Sequence, residues 1–555
     1  MAEKHLKKAN RVLGEMLSEQ QRWLPVWREL NKFFYPFMYQ SLYGPNSGNE
    51  QAARIRNTSM LDGAAAHALY VLAAGFMNGV TSPARKWFKI TDPAAQPYAD
   101  PDAALAEANS KVRKKLLEIF AASNYYDQRA QQVYDGCGLG TSVLLCYEDR
   151  DTVVKFKLLS PGTYALRKDS ENRITKIGRE FVMKGRDLIE EFGLDAVPKA
   201  LRDEAKLDDV ESLRNANYTV RHLIEDNEPD KLVPSNVKFR ELYWLASRPE
   251  DGPEFLATRP LWEWPAGVFR WATPDDSTYG IPPTVGVVGK AAQLQNMELK
   301  TDQGLDKMVS PPLLADIQLQ NRPKAFAAGG ITFTPNLGSA SEGARPLLNM
   351  QIPFQELQMK RQAVIEDIEE QLFNPLFNMV SQLDTVRSAT EIDARREEKL
   401  VMLGPVLTRG YNEDLFPIVA RVFGIASRKG LFADLAESPG SVEFSNILSD
   451  VQKASDVATI ERFFGFVGSL LGAFPELQQK VNPYDLLQQY AEGLGIRPTG
   501  LRSDDEAGQG VAQQNQMAQL QQVSEVAKNF SGAAAPLLQD GSGGGMAAVQ
   551  QLLAG

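Results

Sequence analysis

The stretch from Thr284 to about Gly424 restricts what this 555-residue chain can fold into more than any other. Two helical runs flank an insertion rich in Pro and Gly, and a short loop then leads to one long helix with a proline inside it. The first run, Thr284 to Val309, carries Val285, Val288, Ala292, Met297, Leu305 and Met308 at loosely helical spacing, and Ser310-Pro311-Pro312 stops it. The second, about Ile352 to Phe373, sets Leu357, Val364, Ile365, Ile368 and Leu372 three or four apart, the spacing of one buried face. Glu356 and Lys360, four apart, begin its charged side. Asn374-Pro375 closes it, because proline lacks an N–H and disfavours helical geometry in the residue before it.

The third helix opens at Ser388. Ser388-Ala389-Thr390-Glu391 fits a capping box, in which hydroxyl and carboxylate each satisfy an exposed backbone N–H. Leu400, Leu403, Leu407, Tyr411, Leu415, Ile418 and Val422 carry an apolar stripe to Gly424. Gly404-Pro405 interrupts the stripe without ending it, which predicts one kinked helix. As pattern alone, the arrangement also fits an ordinary three-helix core.

Upstream, Val12, Met16, Trp23, Trp27, Leu30 and Phe34 mark an amphipathic helix over Arg11 to Phe37, closing near Pro36. An Ala-rich helix is predicted over 57–79, and another from Pro101 to about Gly136. The period then changes. Val143, Leu145 and Tyr147, then Val154, Phe156 and Leu158, alternate as strands do. Ile174 to Met183, Tyr218 to Ile224 and Val237 to Leu245 read as further strands, with a short helix over Asp187 to Phe192. Helices, then sheet, then helices is an α+β arrangement, predominantly helical, rather than the alternating βαβ of a nucleotide-binding fold. In the insertion, Leu313, Leu314, Ile331 and Phe333 sit among Gly329-Gly330, Pro335 and Gly338. Such short strands have little core of their own and leave backbone edges open to another chain, although a solvent-exposed hairpin fits equally. Val442 to Ser445 reads as a returning strand, and Ala454 to Phe474 and Pro483 to Leu494 as helices. After Pro498 the composition turns to Gln, Ala and Gly, a tail that is disordered or forms one more helix around Met517, Leu520, Val523, Val526 and Phe530.

Composition narrows the chemistry. A formal net charge of -10 makes the chain a poor static grip for phosphates, which calls for Lys and Arg. Cys137 and Cys146 are the only cysteines; they give no disulfide framework and match no usual metal spacing, as befits a reducing cytoplasm. The N-terminal residues show no secretory pattern, and Ala64 to Val80 is too short for a membrane span and reads as a buried helix. Gly136, Gly138 and Gly140 imitate a dinucleotide fingerprint in the wrong order, after a helix and before a strand, so a turn is the better reading. Gly289-Lys290 resembles a phosphate loop, but Ala291 stands where Ser or Thr must meet magnesium. His5, His67 and His222 are dispersed, and His67 on an apolar face reads as a satisfied core residue. No catalytic residue, metal ligand or cofactor site emerges.

The order of helix, Ser-Pro-Pro insertion, helix, loop, Ser-Ala-Thr-Glu and Gly-Pro-kinked helix resembles the head-to-tail connector, or portal, proteins of short-tailed bacteriophages. The likeness continues in Tyr279-Gly280-Ile281-Pro282-Pro283, in Leu72-Ala73-Ala74-Gly75-Phe76-Met77 and in Thr81-Ser82-Pro83-Ala84-Arg85, and it spans about residues 10 to 500. Ile-Pro-Pro follows Tyr279-Gly280 where related chains often carry Arg-Ser-Pro. The resemblance implies a ring, usually of twelve subunits, at one capsid vertex, through which double-stranded DNA passes. It would divide the chain into a wing (1–283), a first stem helix (284–310), a clip (311–351) and a second stem helix (352–373). A tunnel loop (374–387), a long kinked helix returning to the wing (388–452), a crown (453–500) and a tail or barrel helix (501–555) would follow. Leu376, Phe377, Met379, Val380, Asp384 and Arg387 would face DNA as a mobile contact; Leu313, Leu314, Ile331 and Phe333 would serve the clip interface. Implied partners are further copies of the chain, the terminase large subunit, tail adaptors, and capsid and scaffolding proteins, with no membrane. The implied location is the virion, after assembly in the host cytoplasm. Another head-tail adaptor ring, or an unrecognised cytosolic enzyme, are the rival readings.

Overall fold

Val12, Leu13, Met16, Trp27, Leu30 and Phe34 are all buried along one side of α1 (Ala2–Phe34) in the computed structural model. The structure describes residues 2–43, 57, 60–91, 103–205, 212–228, 232–248, 252–309, 313–315, 344–346, 353–378, 403–432 and 441–444. The chain divides into two compact units, Met1–Ile447 and Leu448–Gly555, and all described residues lie in the first. α1 begins earlier than its sequence pattern indicates, because Leu6 and Ala9 already join Val12, Leu13 and Met16 in a cluster with Leu223, Leu242 and Trp244. Burial of such side chains at roughly 25 cal/mol per Å² outweighs the weak intrinsic stability of a charged first turn.

The Ala-rich helix, α2, occupies Ala64–Val80 rather than starting at 57. The preceding backbone is committed elsewhere. Asn57 donates from Nδ2 to the carbonyls of Lys32 (2.7 Å) and Tyr35 (2.9 Å), and the N–H groups of Leu61 and Asp62 donate to Gln295 Oε1 at 2.6 and 2.9 Å. A second correction concerns histidine. His67 is exposed on the outer side of α2, whereas His222 is the one that is wholly buried.

After β1 (Phe88–Thr91), the single helix expected up to Gly136 is two, α3 (Ala103–Ala122) and α4 (Tyr125–Leu139). Asn124 breaks them apart by binding the backbone of Phe156 in both directions, Nδ2 to O and N to Oδ1, each at 2.8 Å. Of the three glycines that follow, only Gly140 is a turn, with φ of +85°. Gly136 and Gly138 lie inside α4, where a Cβ would stand 2.2 Å from the Phe269 ring and 2.1 Å from the Tyr35 hydroxyl. They are there for close packing.

Two antiparallel sheets follow. β2 (Thr141–Glu148) lies between β3 (Val154–Leu159) and a strand that the sequence pattern did not show, β9 (Ala266–Arg270). The larger sheet runs β4 (Tyr164–Lys168), β5 (Ile174–Lys184), β6 (Asn217–Asp226), β7 (Phe239–Leu245) and β8 (Ala257–Leu261), the last also unforeseen. α5 (Gly185–Phe192) covers one face of it through Leu188, which packs with Val220 and Tyr243. β9 leads back to Tyr279-Gly280, where two glycine backbones cross. Trp271 N–H donates to Gly140 O at 2.9 Å and Gly280 N–H to Thr141 Oγ1 at 2.8 Å, while Tyr279 is buried with its hydroxyl accepting from Leu166 N–H. A Cβ on Gly280 would lie 2.3 Å from Gly140 O, so no other residue allows that approach. Helices packed on antiparallel sheets make this an α+β fold.

Candidate functional site

From the Gly280 crossing the chain leaves the sheets as α6 (Thr284–Val309), with Thr284 Oγ1 anchored on Gly138 O at 2.8 Å. A tight pairing of Leu313–Ala315 (β10) with Ala344–Pro346 (β11) follows, and α7 (Phe354–Gln371) returns. α6 and α7 run antiparallel, tied by Lys290 to Asp367 (2.7 Å) and Arg361 to Glu298 (3.6 Å). Arg361 also donates from Nε to the buried Asp62 at 3.0 Å, fixing the pair to the start of α2.

Only the near end of this pair is embedded. Val287, Ala291, Leu294 and Gln295 are buried on α6, and Val364 and Ile368 on α7. That is a different face of α6 from the stripe Val285, Val288, Ala292, Met297, Leu305 and Met308 read in the sequence, which is half-buried or exposed. Beyond Gln295, α6 buries nothing, and α7 buries nothing before Val364. Leu299, Leu305, Met308, Phe354 and Met359 are exposed there, Met359 to 66% and Val309 to 81%. Between the two outer halves lies a groove of about 640 Å³, lined by Gly289, Ala292, Met297, Gly304 and Leu357 among others.

α7 ends as its Asn374-Pro375 signal indicates, with Phe373 in the left-handed region (φ 58°). A short helix restarts at once over Asn374–Asn378. Leu376 is buried in it, and Phe377, half-buried, lies so close to Gly75 of α2 that a Cβ there would meet the ring at 2.2 Å. These two candidate DNA-facing residues are therefore held against α2 in this chain. Met379, Val380, Asp384 and Arg387 lie outside the described residues, as do Ile331, Phe333 and the Ser388 capping box.

Gly404 and Pro405 open the described part of the next helical run, 403–410. The departure from α geometry within that part comes later, as a π-helical turn over Tyr411–Leu415 in which Phe416 N–H donates to Tyr411 O. Pro417 follows directly. Proline has no N–H and its ring clashes with the carbonyl four residues back, and the wider turn carries that carbonyl away. The run continues as α8 (Phe416–Arg428), through Gly424 where the sequence placed its end; Gly424 instead admits the Glu263 carboxylate. The π turn points Asp414 into the protein. Asp414 is fully buried, paired with the equally buried Arg129 and accepting from Gln132 Nε2 at 2.9 Å, while Glu413 pairs with the buried Arg270 at 2.7 Å. Sequence reading missed this cluster, since an Asp within an apolar stripe looks like an interruption of the core.

Cys146 is buried and its thiol is pushed up to about 12, and burial raises Cys137 further, so both are poor nucleophiles. Among the described residues no group of His, Cys, Asp or Glu is placed to hold a metal ion, and no helix is long and apolar enough to cross a membrane.

A family model described as "Bacteriophage head to tail connecting protein" matches residues 6–501. The "Probable portal protein" of Bordetella phage BPP-1 is 30% identical over 506 residues, covering 87% of this chain and 86% of that protein. The "Portal protein" of Salmonella phage epsilon15 is 26% identical over 540 residues, 95% of each. A match over nearly the whole length settles the family: the chain belongs to the bacteriophage head to tail connecting proteins.

Proposed function

We propose that this chain is a portal subunit that closes with copies of itself into a ring at one capsid vertex, through which viral DNA is packaged and ejected. The observation that carries the proposal is the outer half of α6 and α7, where Leu305, Met308, Val309 and Met359 are exposed. Contiguous exposed apolar surface marks an interaction site. In a ring, the groove beside Gly289 and Gly304 would receive the neighbouring subunit's apolar side chains, and a heterologous contact repeated around an axis closes into an annulus.

In this reading α6 and α7 are the stem, and the β10–β11 pairing belongs to a clip that docks the terminase motor first and tail adaptors later. The part of the 374–387 segment offered to DNA begins after Asn378, because Leu376 and Phe377 are the buttress that sets its base. Gly404-Pro405 and the π turn that follows shape the long helical run. Function is then geometry: a bore of suitable width, an acidic chain that adheres weakly to phosphate, and interfaces that change partners. The subunit takes its place in the virion after assembly in the host cytoplasm with capsid and scaffolding proteins.

Negative-stain microscopy and native mass of the purified full-length chain test this. A perforated annulus of about twelve copies supports it. A chain that stays monomeric or dimeric under every assembly condition refutes it.

A further inference from the structure

A cleft of about 510 Å³ opens between the two sheets, bounded by Tyr147 and Lys157 on one side and Arg179, Tyr243 and Arg259 on the other. This is within the size range of small-molecule sites. Its floor is a relay. Arg179 Nε donates to His222 Nδ1 at 2.9 Å, which leaves His222 Nε2–H to donate to Glu241 Oε1 at 2.8 Å, and Tyr243 O–H donates to the same oxygen at 2.8 Å. Glu241 is thereby satisfied as a carboxylate.

Two cations in the cleft have no carboxylate in ion-pair contact among the described residues. Arg179 is only 7% exposed and its guanidinium lies over the Phe181 ring at 4.3 Å, yet its two terminal nitrogens have no protein partner among the described residues. Lys157 has none either, and its ammonium is depressed by burial and by the nearby Arg179. The other lining charges are paired: Arg259 with Glu191 at 2.9 Å, Arg421 with Glu263 at 2.9 Å, and Glu148 with Arg428 at 3.0 Å. Four cations line the cleft against three carboxylates, an excess of one positive charge beside aromatic walls.

We propose that this cleft binds the carboxylate of a small organic monoanion between Lys157 Nζ and the Arg179 guanidinium, with its apolar stem against Phe181, Met183 and Phe192. A carboxylate accepts from both donors at once and relieves their repulsion. A phosphate monoester would bring a second negative charge into a cleft that already holds Glu148, Glu191 and Glu241, so a monoanion is the better match. The site is built from residues apart from the stem and makes no use of the ring.

Isothermal titration of the full-length protein with phenylacetate tests it, with phenylacetamide and phenyl phosphate as comparators. Phenylacetate should bind with a dissociation constant of about 1 mM or tighter, a modest value for a ligand of this size. Phenylacetamide, and phenylacetate with the Lys157→Gln variant, should each bind at least about tenfold more weakly, the loss of one charge-assisted hydrogen bond. Lys157 makes no ion pair among the described residues, so the variant keeps its fold, which circular dichroism verifies. Absence of binding at tens of millimolar overturns the proposal. So does binding unchanged by Lys157→Gln or by the amide, and phenyl phosphate binding more tightly than phenylacetate overturns the carboxylate assignment.

Discussion

His222, enclosed between Arg179 and Glu241, is held down to about 4 because burial disfavours the imidazolium more than Glu241 favours it. Unfolded, it takes up a proton near 6.5 that the folded protein refuses, so its contribution to stability is lost as pH falls from 6.5 through 4. Asp135 acts in the opposite sense. Burial lifts its carboxyl to about 7 against hydrogen bonds from Tyr39 and Gln131, so its contribution is complete below 3.8 and lost as pH rises through 7. Between pH 4 and 6.5 the two oppose each other. Compared with the unaltered chain, His222→Gln should therefore gain stability as pH falls through this window, and Asp135→Asn should lose it, as urea midpoints across the window will show. The Arg129–Asp414 pair makes a sharper demand, because both side chains are sealed from water. Arg129→Met leaves the buried Asp414 carboxylate without its counter-charge and should cost about 3–5 kcal/mol, whereas Arg129→Met with Asp414→Leu should regain most of it. A double-mutant cycle by urea denaturation measures both.

Among the elements, the junction of α7 with the Asn374–Asn378 helix depends on one missing Cβ. Gly75→Ala would drive into the Phe377 ring and should cost about 1–3 kcal/mol, while adding Phe377→Ala should make the two changes markedly non-additive. Thermal denaturation of the two single variants and the double variant checks this. The extent of α6 was legible because Thr284 to Val309 has a helical period and a Ser-Pro-Pro stop, but its buried face was not. A helix embedded over its first half and exposed over its second carries apolar residues for two different surfaces, and periodicity averages them. β8 and β9 were hidden for another reason: Pro260 lies within β8, and β9 is buried at every position, so neither shows alternation. The break at Asn124 depends on a tertiary hydrogen bond to Phe156, which no local pattern encodes. Likewise the π turn answers Pro417, whereas attention fell on the more conspicuous Gly404-Pro405.

For the whole molecule, the ring proposal separates assembly from folding. Leu305→Glu with Met359→Glu places charges on exposed sites, so the secondary structure should persist by circular dichroism while native mass shows loss of the ring. Deleting 379–385 while keeping Leu376 and Phe377 should leave ring mass unchanged and impair DNA packaging or retention; normal packaging by that variant would remove the segment from the channel. The acidic chain should also bind free duplex DNA no more tightly than the micromolar range typical of non-specific binding at physiological salt.

β1 pairs with Ser441–Phe444, Phe88 opposite Phe444 and Thr91 opposite Ser441. At about 5–20 residues per second, a ribosome takes on the order of tens of seconds to travel from one of these strands to the other. Throughout that interval Phe88 waits at an edge with its mate not yet made. The N-terminal part of this subunit is thus completed by almost the last piece of its own unit to be translated, and a truncated product would carry an open strand edge of the kind that draws stray chains into aggregates.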